Sequence, residues 1–408
     1  MQIKNSAGSF DHLTYCSNIH PGESWAEVES NVHKHVPAIR DALLNKNDTD
    51  SNRAGRFGIG LRLSAAATRE LAEPGAMKQF KEFLDNNQCY VFTINGFPYG
   101  PFHGTRVKED VYLPDWKDKE RLRYTNEIAD VFSQFLPAGQ TGTISTVPGA
   151  FKDCVNTPDD ISLIASNLVK HVAHLARLER KNNCEILLAL EPEPCCFLET
   201  IEESVDFFTD HLFSDKPTKQ LADLLGVSKS RASELLHKHL TLCLDLCHAA
   251  VEFEDAHHCL QTLDNAGIII GKIQISAGLR LTNVTAETAE LLRPFDDEVY
   301  LHQVVENHGG SINRFADLPD AFAKLTDDEL PREWRVHFHV PIFLDDLGAF
   351  SSTQFFIRDI LALHKLKPVS KHLEVETYTW SVLPEAYKTQ SIDEAIVREI
   401  SWVREQLS

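Results

Sequence analysis

The sequence predicts an α/β fold, a (β/α)8 TIM barrel, on three observations. Short β-rich apolar runs alternate with longer amphipathic stretches, the units number eight, and polar residues able to bind metal collect just after the runs. Parallel strands joined by crossover helices give the first pattern, and barrels keep their catalytic groups at the carboxyl ends of strands, which gives the last. The runs are His12–Ile19, Phe57–Leu63, Tyr90–Asn95, Thr143–Val147, Glu185–Leu190, Thr241–Leu246, Ile268–Ile275 and Leu373–Thr379. Between them Ser24–Leu44, Lys119–Phe135, Ile161–Leu178, Ala256–Asn265 and Thr353–Leu366 repeat apolar residues at three- and four-residue steps, the helical period.

Two further β-like runs, Val299–Glu306 and Arg335–Phe343, exceed the eight strands a barrel needs. They are expected to form an excursion before the last strand, a hairpin over the barrel mouth; the alternative is that one of them closes the barrel. No repeat, low-complexity tract or Gly/Ser linker marks a boundary. Residues 1–408 are therefore expected to form one elaborated domain with insertions near 212–238 and 295–343.

Sixty acidic against 40 basic residues, a net charge of −20, oppose both the phosphate neutralisation that drives nucleic-acid binding and attachment to anionic membranes. A small neutral or metal-assisted substrate fits better. No window approaches the ~20 apolar residues of a membrane span, because runs such as Ile268–Ile275 are broken by Gly and Lys. The nine cysteines lie mostly in apolar runs, and the opening MQIKNSAGSF has no basic-then-apolar signal; reduced thiols in a cytoplasmic protein are expected. Gln220–Leu240 matches a DNA-binding helix-turn-helix locally, with Ala222 and Gly226 suitably placed. The charge and its position between the fifth and sixth strands favour a barrel helix with a short insertion.

The fifth run, CEILLALEPEP, carries Glu191 directly after its apolar residues, where a carboxylate either meets a cation or a proton or is a costly desolvated charge. The sixth, LCLDLCHAAVEFED, ends on Asp245, with His248 three residues on; carboxylate oxygen and imidazole nitrogen together suit Mn, Zn, Fe or Co better than Ca. In the last run, KHLEVETYTW, Glu374 and Glu376 share a face, and only Glu376 is near the carboxyl end. Glu191 and Glu376 could thus face each other across a barrel mouth, one taking a proton that the other returns. Glu374 is expected to pair with His372 or an internal Arg or Lys.

His337 and His339, in RVHFHVPIF, point to one face of a strand, an arrangement that serves metal or substrate binding as well as simple packing. Gln274, in IGKIQISAG, offers an amide oxygen, a poor metal ligand beside imidazole or carboxylate, and is expected to contact substrate or to touch a metal weakly. His20, Asn95 and His103 follow the first and third runs and are candidate pocket residues, with Phe97, Tyr99 and Phe102 as apolar walls.

The strings TYCSNIHPGESW, LALEPEP, LDLCHA, KIQISAGL, YLHQVVE, RVHFHVPIF and HLEVETYTW together resemble the EboE family of metabolite-traffic proteins, over nearly the whole chain. That family is itself similar to the xylose-isomerase-like and sugar phosphate isomerase/epimerase barrels. The wider resemblance implies one divalent ion (Mn, Zn, Fe, Co or Mg) held by Glu191, Asp245, Gln274 and Glu376, with His248 on substrate or metal and the two glutamates shuttling a proton. Gln274 departs from the histidine usual there. Either a weaker site survives, or His339 or His337 fills the position, as extra histidines do in related metal-dependent endonuclease barrels. Three functions follow as expectations: a metal-dependent isomerase or epimerase of a polyhydroxylated or hydroxy-carbonyl small molecule; a non-catalytic binding module working with other proteins of a metabolite-traffic cluster; and a zinc-dependent phosphodiesterase.

Overall fold

A computed structural model of the chain describes residues 1–44, 55–103, 106–326, 330–384, 388 and 390–408. Fourteen strands are assigned among them. β1 (Gln2–Lys4) and β2 (Phe10–Tyr15) open the chain, followed by β3 (Phe57–Arg62), β4 (Cys89–Asn95), β5 (Thr141–Thr146), β6 (Glu185–Leu190), β7 (Leu240–Asp245) and β8 (Ile270–Ile275). β9 (Ala277–Leu281), β10 (Val304–His308), β11 (Ser311–Phe315), β12 (Arg332–Val340) and β13 (Ser351–Ser352) come next, and β14 (His372–Val375) is last.

One sheet runs in the order β1-β2-β14-β8-β7-β6-β5-β4-β3. Its eight strands from β2 to β3 are parallel, and an isolated parallel bridge from Cys16 to Gly60 joins its ends into a barrel. Nearly every residue of these strands is buried, as expected of parallel strands with both faces covered. Gly60 is obligatory for the closure: a Cβ there would sit 2.7 Å from the Tyr15 carbonyl and 1.9 Å from Glu374 Oε1. The intervening helices start where the sequence supplies caps. Trp25–Leu43, Pro158–Asn182 and Ile392–Leu407 each open on a reciprocal capping box, from Ser24, Thr157 and Ser391.

All eight predicted barrel runs are present, but two end four residues sooner than expected. The first strand ends at Tyr15 and the last at Val375, and the chain then turns into the 3-10 segments Ser17–Ile19 and Tyr378–Ser381, lifting Asn18 and Tyr378 over the barrel.

The larger difference lies between the seventh and eighth strands. The excursion is not a hairpin but a five-stranded antiparallel sheet, β11-β10-β12-β9-β13, and it begins at Ala277, one residue after β8. Neither extra run closes the barrel; β14 does so, between β8 and β2. The sheet joins the barrel core through one face of β12, where Trp334, Val336, Phe338 and Val340 are fully buried. Its alternate face carries His337 and His339. The register between β12 and β9 slips between Val336 and Val340, so both histidines lie in an irregular stretch of the kind that re-aims side chains beside active sites.

The helix-turn-helix look-alike forms two helices, Asp215–Leu225 and Lys229–His239, between β6 and β7. Leu221, Leu235 and Leu236 are buried in the hydrophobic core, which fixes the pair as barrel covering.

Candidate metal centre at the barrel mouth

The end of each strand sets one group of the site. Glu191 follows β6, Asp245 ends β7 and caps the short helix Leu246–Val251, and Glu376 follows β14. These three carboxylates offer oxygens that all lie within 4.8 Å of one another, and all three residues are buried.

Their hydrogen bonds leave specific lone pairs open. Asp245 Oδ1 accepts from the His248 backbone N–H at 2.9 Å and from Ser276 Oγ at 2.8 Å, while Oδ2 has no partner among the described residues. Glu376 Oε1 accepts from Asn18 Nδ2 at 2.7 Å and Asn95 Nδ2 at 3.0 Å, and Oε2 accepts from the Gln274 amide. With two acceptor sites on each oxygen, Glu376 is left with one, on Oε2. Glu191 Oε2 is buried with no partner among the described residues.

In so crowded and dry a site Glu191 and Glu376 resist ionisation. Burial raises the Glu191 carboxyl well above its ordinary range, and Glu376 and Asp245 push it further. Burial, then Asp245 and Glu374, lift Glu376 to about 8 against the counter-effect of Lys272. Lys272 is fully buried beneath them, but its ammonium pairs with the equally buried Glu374. Glu374 thus meets the internal lysine that its depth in the strand suggests.

The inserted sheet supplies a second group. His248 Nδ1 donates to the Pro192 carbonyl at 2.9 Å and His339 Nδ1 to the Glu376 carbonyl at 2.9 Å. His337 Nδ1 lies 2.8 Å from Gln303 Oε1, which is the acceptor because Gln303 Nε2 donates to Tyr112 Oη and the Pro194 carbonyl. Each ring therefore commits its Nδ1 proton to an oxygen and turns a lone pair on Nε2 to the site. His248 Nε2 and His337 Nε2 are 3.1 Å apart, and His339 Nε2 is buried without a partner among the described residues. Burial keeps His337 and His339 neutral, His339 down to about 4. Asp245, His248 and His339 form a second ligand-competent trio that shares Asp245 with the carboxylates; Glu193, His248 and His337 form a third.

A pocket partly open to solvent lies over these groups. Of the residues expected from sequence, Glu191, Glu376, His248, Asn95, His337, His339, Phe97 and Phe102 line it. Gln274 sits beside the trio with its amide oxygen accepting from Cys243 Sγ at 2.5 Å and its NH2 on Glu376, which makes it an orienting donor for that carboxylate. His20 and His103 lie outside the lining: His20 stacks on His35 with ring centroids 4.0 Å apart, and His103 Nδ1 is 3.8 Å from Glu23 Oε1. Tyr99 also turns away, its hydroxyl donating to Glu120. Sequence reasoning did not single out Asn18, Tyr112, Glu193, Tyr300 or Tyr378 for this pocket. Only Glu193 carried a signal, its place two residues beyond Glu191 in LEPEP.

The donor set fits a divalent cation: oxygens and imidazole nitrogens with open lone pairs, and a buried excess of carboxylate that one paired lysine does not offset. No helix among the described residues is long and apolar enough to cross a membrane.

No family model and no curated protein matches the chain, so the resemblance to the EboE family rests on the quoted strings alone. Among solved structures, a xylose isomerase-like TIM barrel protein from Mycobacterium smegmatis in complex with magnesium is similar to it. Its TM-score is 0.51 at 10% identity, with 97% of this chain and 96% of that chain covered. The probable 3-DHS dehydratase AsbF of Bacillus anthracis superposes with TM-score 0.46 at 11% identity, over 96% and 98% of the two chains. The IOLI protein with a bound zinc atom does so with TM-score 0.44 at 12% identity, over 97% and 98%. At such identities likeness speaks to the fold alone, a TIM barrel similar to that of the xylose isomerase-like protein.

Proposed function

We propose that the protein is a divalent-metal-dependent isomerase or epimerase acting on a small polyhydroxylated or hydroxy-carbonyl compound, in the service of metabolite traffic. The observation that carries this reading is the trio Glu191, Asp245 and Glu376, three carboxylates from three strand ends within 4.8 Å with open lone pairs. Glu191, Asp245 and Glu376 would hold the ion, with His339 the best-placed additional ligand because Gln274 is turned to Glu376. A bound divalent ion supplies Lewis-acid polarisation of substrate oxygens.

The chain's own residues supply the rest. Glu191, raised by burial and by its neighbours, takes or holds a proton at its unpartnered Oε2. Glu376 has one open position, on Oε2, which the ion and the second proton would use in turn, while Asn18, Asn95 and Gln274 fix its orientation. Two acids with environments set apart in this way suit removal and return of a proton on either side of one substrate.

Elemental analysis of purified protein tests the reading. About one Mn, Fe, Co or Zn per chain is expected in the wild type, lost in an Asp245→Ala, Glu376→Gln double variant. Absence of metal even after incubation with Mn and Zn would sink it and favour a metabolite carrier. In the carrier case Glu376→Gln weakens ligand binding and there is no turnover to lose. The overlapping ligand trios Asp245, His248, His339 and Glu193, His248, His337 favour one further reading, a phosphodiester-cleaving site with several zinc ions, and more than one metal per chain is its signature.

A further inference from the structure

The cavity has two kinds of wall. Phe102, Tyr300 and Tyr378 pack ring to ring with centroids 5.2–5.3 Å apart. Apart from Lys108 and the hydroxyl of Tyr112, the polar groups elsewhere in the lining are carboxylate, amide and imidazole. Tyr300, part of the aromatic wall, has a buried hydroxyl with no partner among the described residues. Such a space suits a ring that lays C–H groups on aromatic faces and turns hydroxyls to polar acceptors.

It offers nothing comparable to a phosphate. Among the described residues Lys108 is the one Lys or Arg in the lining, and its ammonium is held by Asp317 Oδ2 at 2.6 Å and the Asp297 carbonyl at 3.0 Å. Arg62 stands next to Phe102, its guanidinium carbon 5.7 Å from the ring centroid; its Nη1 and Nη2 groups donate to Glu23 and the carbonyls of Gly22 and Gly100, its buried Nε–H has no partner among the described residues, and it is not part of the lining. TIM barrels often cradle phosphate with the loops after the seventh and eighth strands and the start of a short extra helix. Here β8 leads straight into β9, whose Ala277 and Leu279 pair with Val340 and Val336 and whose Gly278 N–H donates to Thr353 Oγ1 at 2.8 Å. A phosphate dianion would also enter beside Glu191, Glu193 and Glu376.

We propose that this site selects an uncharged polyhydroxylated ring or chain over its phosphate ester. The proposal rests on the isomerase reading only in sharing its pocket. The test is titration calorimetry on the Mn-loaded protein with xylitol, sorbitol and myo-inositol, each against its own monophosphate, with inorganic phosphate as competitor. At least one neutral polyol is expected to bind about tenfold more tightly than its ester, with no displacement by inorganic phosphate. Asp317→Asn, which keeps an acceptor for the Leu318 and His302 N–H groups but releases Lys108, is expected to narrow that preference. Tighter binding of an ester, displacement by inorganic phosphate, no binding of any polyol, or an unchanged preference in Asp317→Asn would overturn the proposal. Turnover of aldoses and ketoses is scored separately. Polyol binding with no turnover of any aldose or ketose counts against the isomerase reading and leaves the selectivity standing, and a phosphate-preferring isomerase does the reverse.

Discussion

The two halves of the site answer the same electrostatic problem in opposite directions. The barrel half, Glu191, Asp245 and Glu376, is a set of acids in which burial and crowding raise Glu191 and Glu376 towards the protonated form. The half built with the inserted sheet, His337 and His339 beside His248, is a set of bases in which burial holds His337 and His339 in the neutral form. Bases pushed down keep their Nε2 lone pairs free, and acids pushed up ionise fully only when a cation compensates their crowded charge, so both halves are poised for a cation. The barrel half also brings the carboxylate charge, and in the proposed function it therefore carries the larger share of binding and all of the proton transfer.

The largest expected effect follows from that division. Glu376→Gln should leave the fold intact and lower turnover by roughly 10²–10⁴-fold, the ordinary worth of a positioned acid or base. Steady-state kinetics at saturating Mn measures it, and near-normal turnover would break the division of labour.

Next comes the support beneath the barrel half. Lys272 and Glu374 are both fully buried and paired, and Lys272 opposes the upward shift of Glu376. Removing one partner strands the other's charge, so Lys272→Met is expected to cost about 3–5 kcal/mol in urea unfolding. The double variant Lys272→Met, Glu374→Leu should recover most of it, because an apolar pair needs no compensation.

Glu399 ties the halves together. From the last helix, its Oε1 accepts from the Ile342 N–H, just past β12, and from Thr377 Oγ1, the residue after Glu376. Burial raises its carboxyl to about 7 from 4.5. A raised acid stabilises the fold fully below its unfolded value of about 4.5, and that stability is lost as pH rises through about 7. Wild type is therefore expected to lose roughly 3 kcal/mol relative to Glu399→Gln between pH 4 and pH 8 in paired unfolding curves. Parallel curves would mean that Glu399 titrates alike in folded and unfolded chains.

The halves also differ in how legible they were. Glu191, Asp245 and Glu376 could be placed because a parallel strand has one functional end, and the apolar runs EILLAL, LTLCLD and HLEV announce where it is. The sheet half had no such frame. His337 and His339 were visible as a strand pair, but their position depends on the irregular register between Val336 and Val340, and no alternation pattern encodes that slip. Asn18 was hidden because the first strand ends sooner than its apolar run suggests, so the residue sits on a 3-10 turn. Gln274 was found at the right depth, yet its role turns on a partner, Cys243, that pairing between β7 and β8 brings beside it.

The smallest effect is the sharpest test of whether two halves exist. His339 shares a possible ligand cluster with Asp245 and His248, while its Nδ1 proton is spent on the Glu376 backbone carbonyl. If the carboxylates dominate, His339→Ala keeps one metal per chain, with affinity lower by about tenfold, or ~1.4 kcal/mol, and saturating Mn restores kcat. A variant that binds metal normally but keeps a low kcat would instead show that His339 acts by positioning Glu376 through that carbonyl. Loss of the metal altogether would make the imidazole an equal ligand, and the division between barrel and sheet would then be one of chain origin rather than of chemistry.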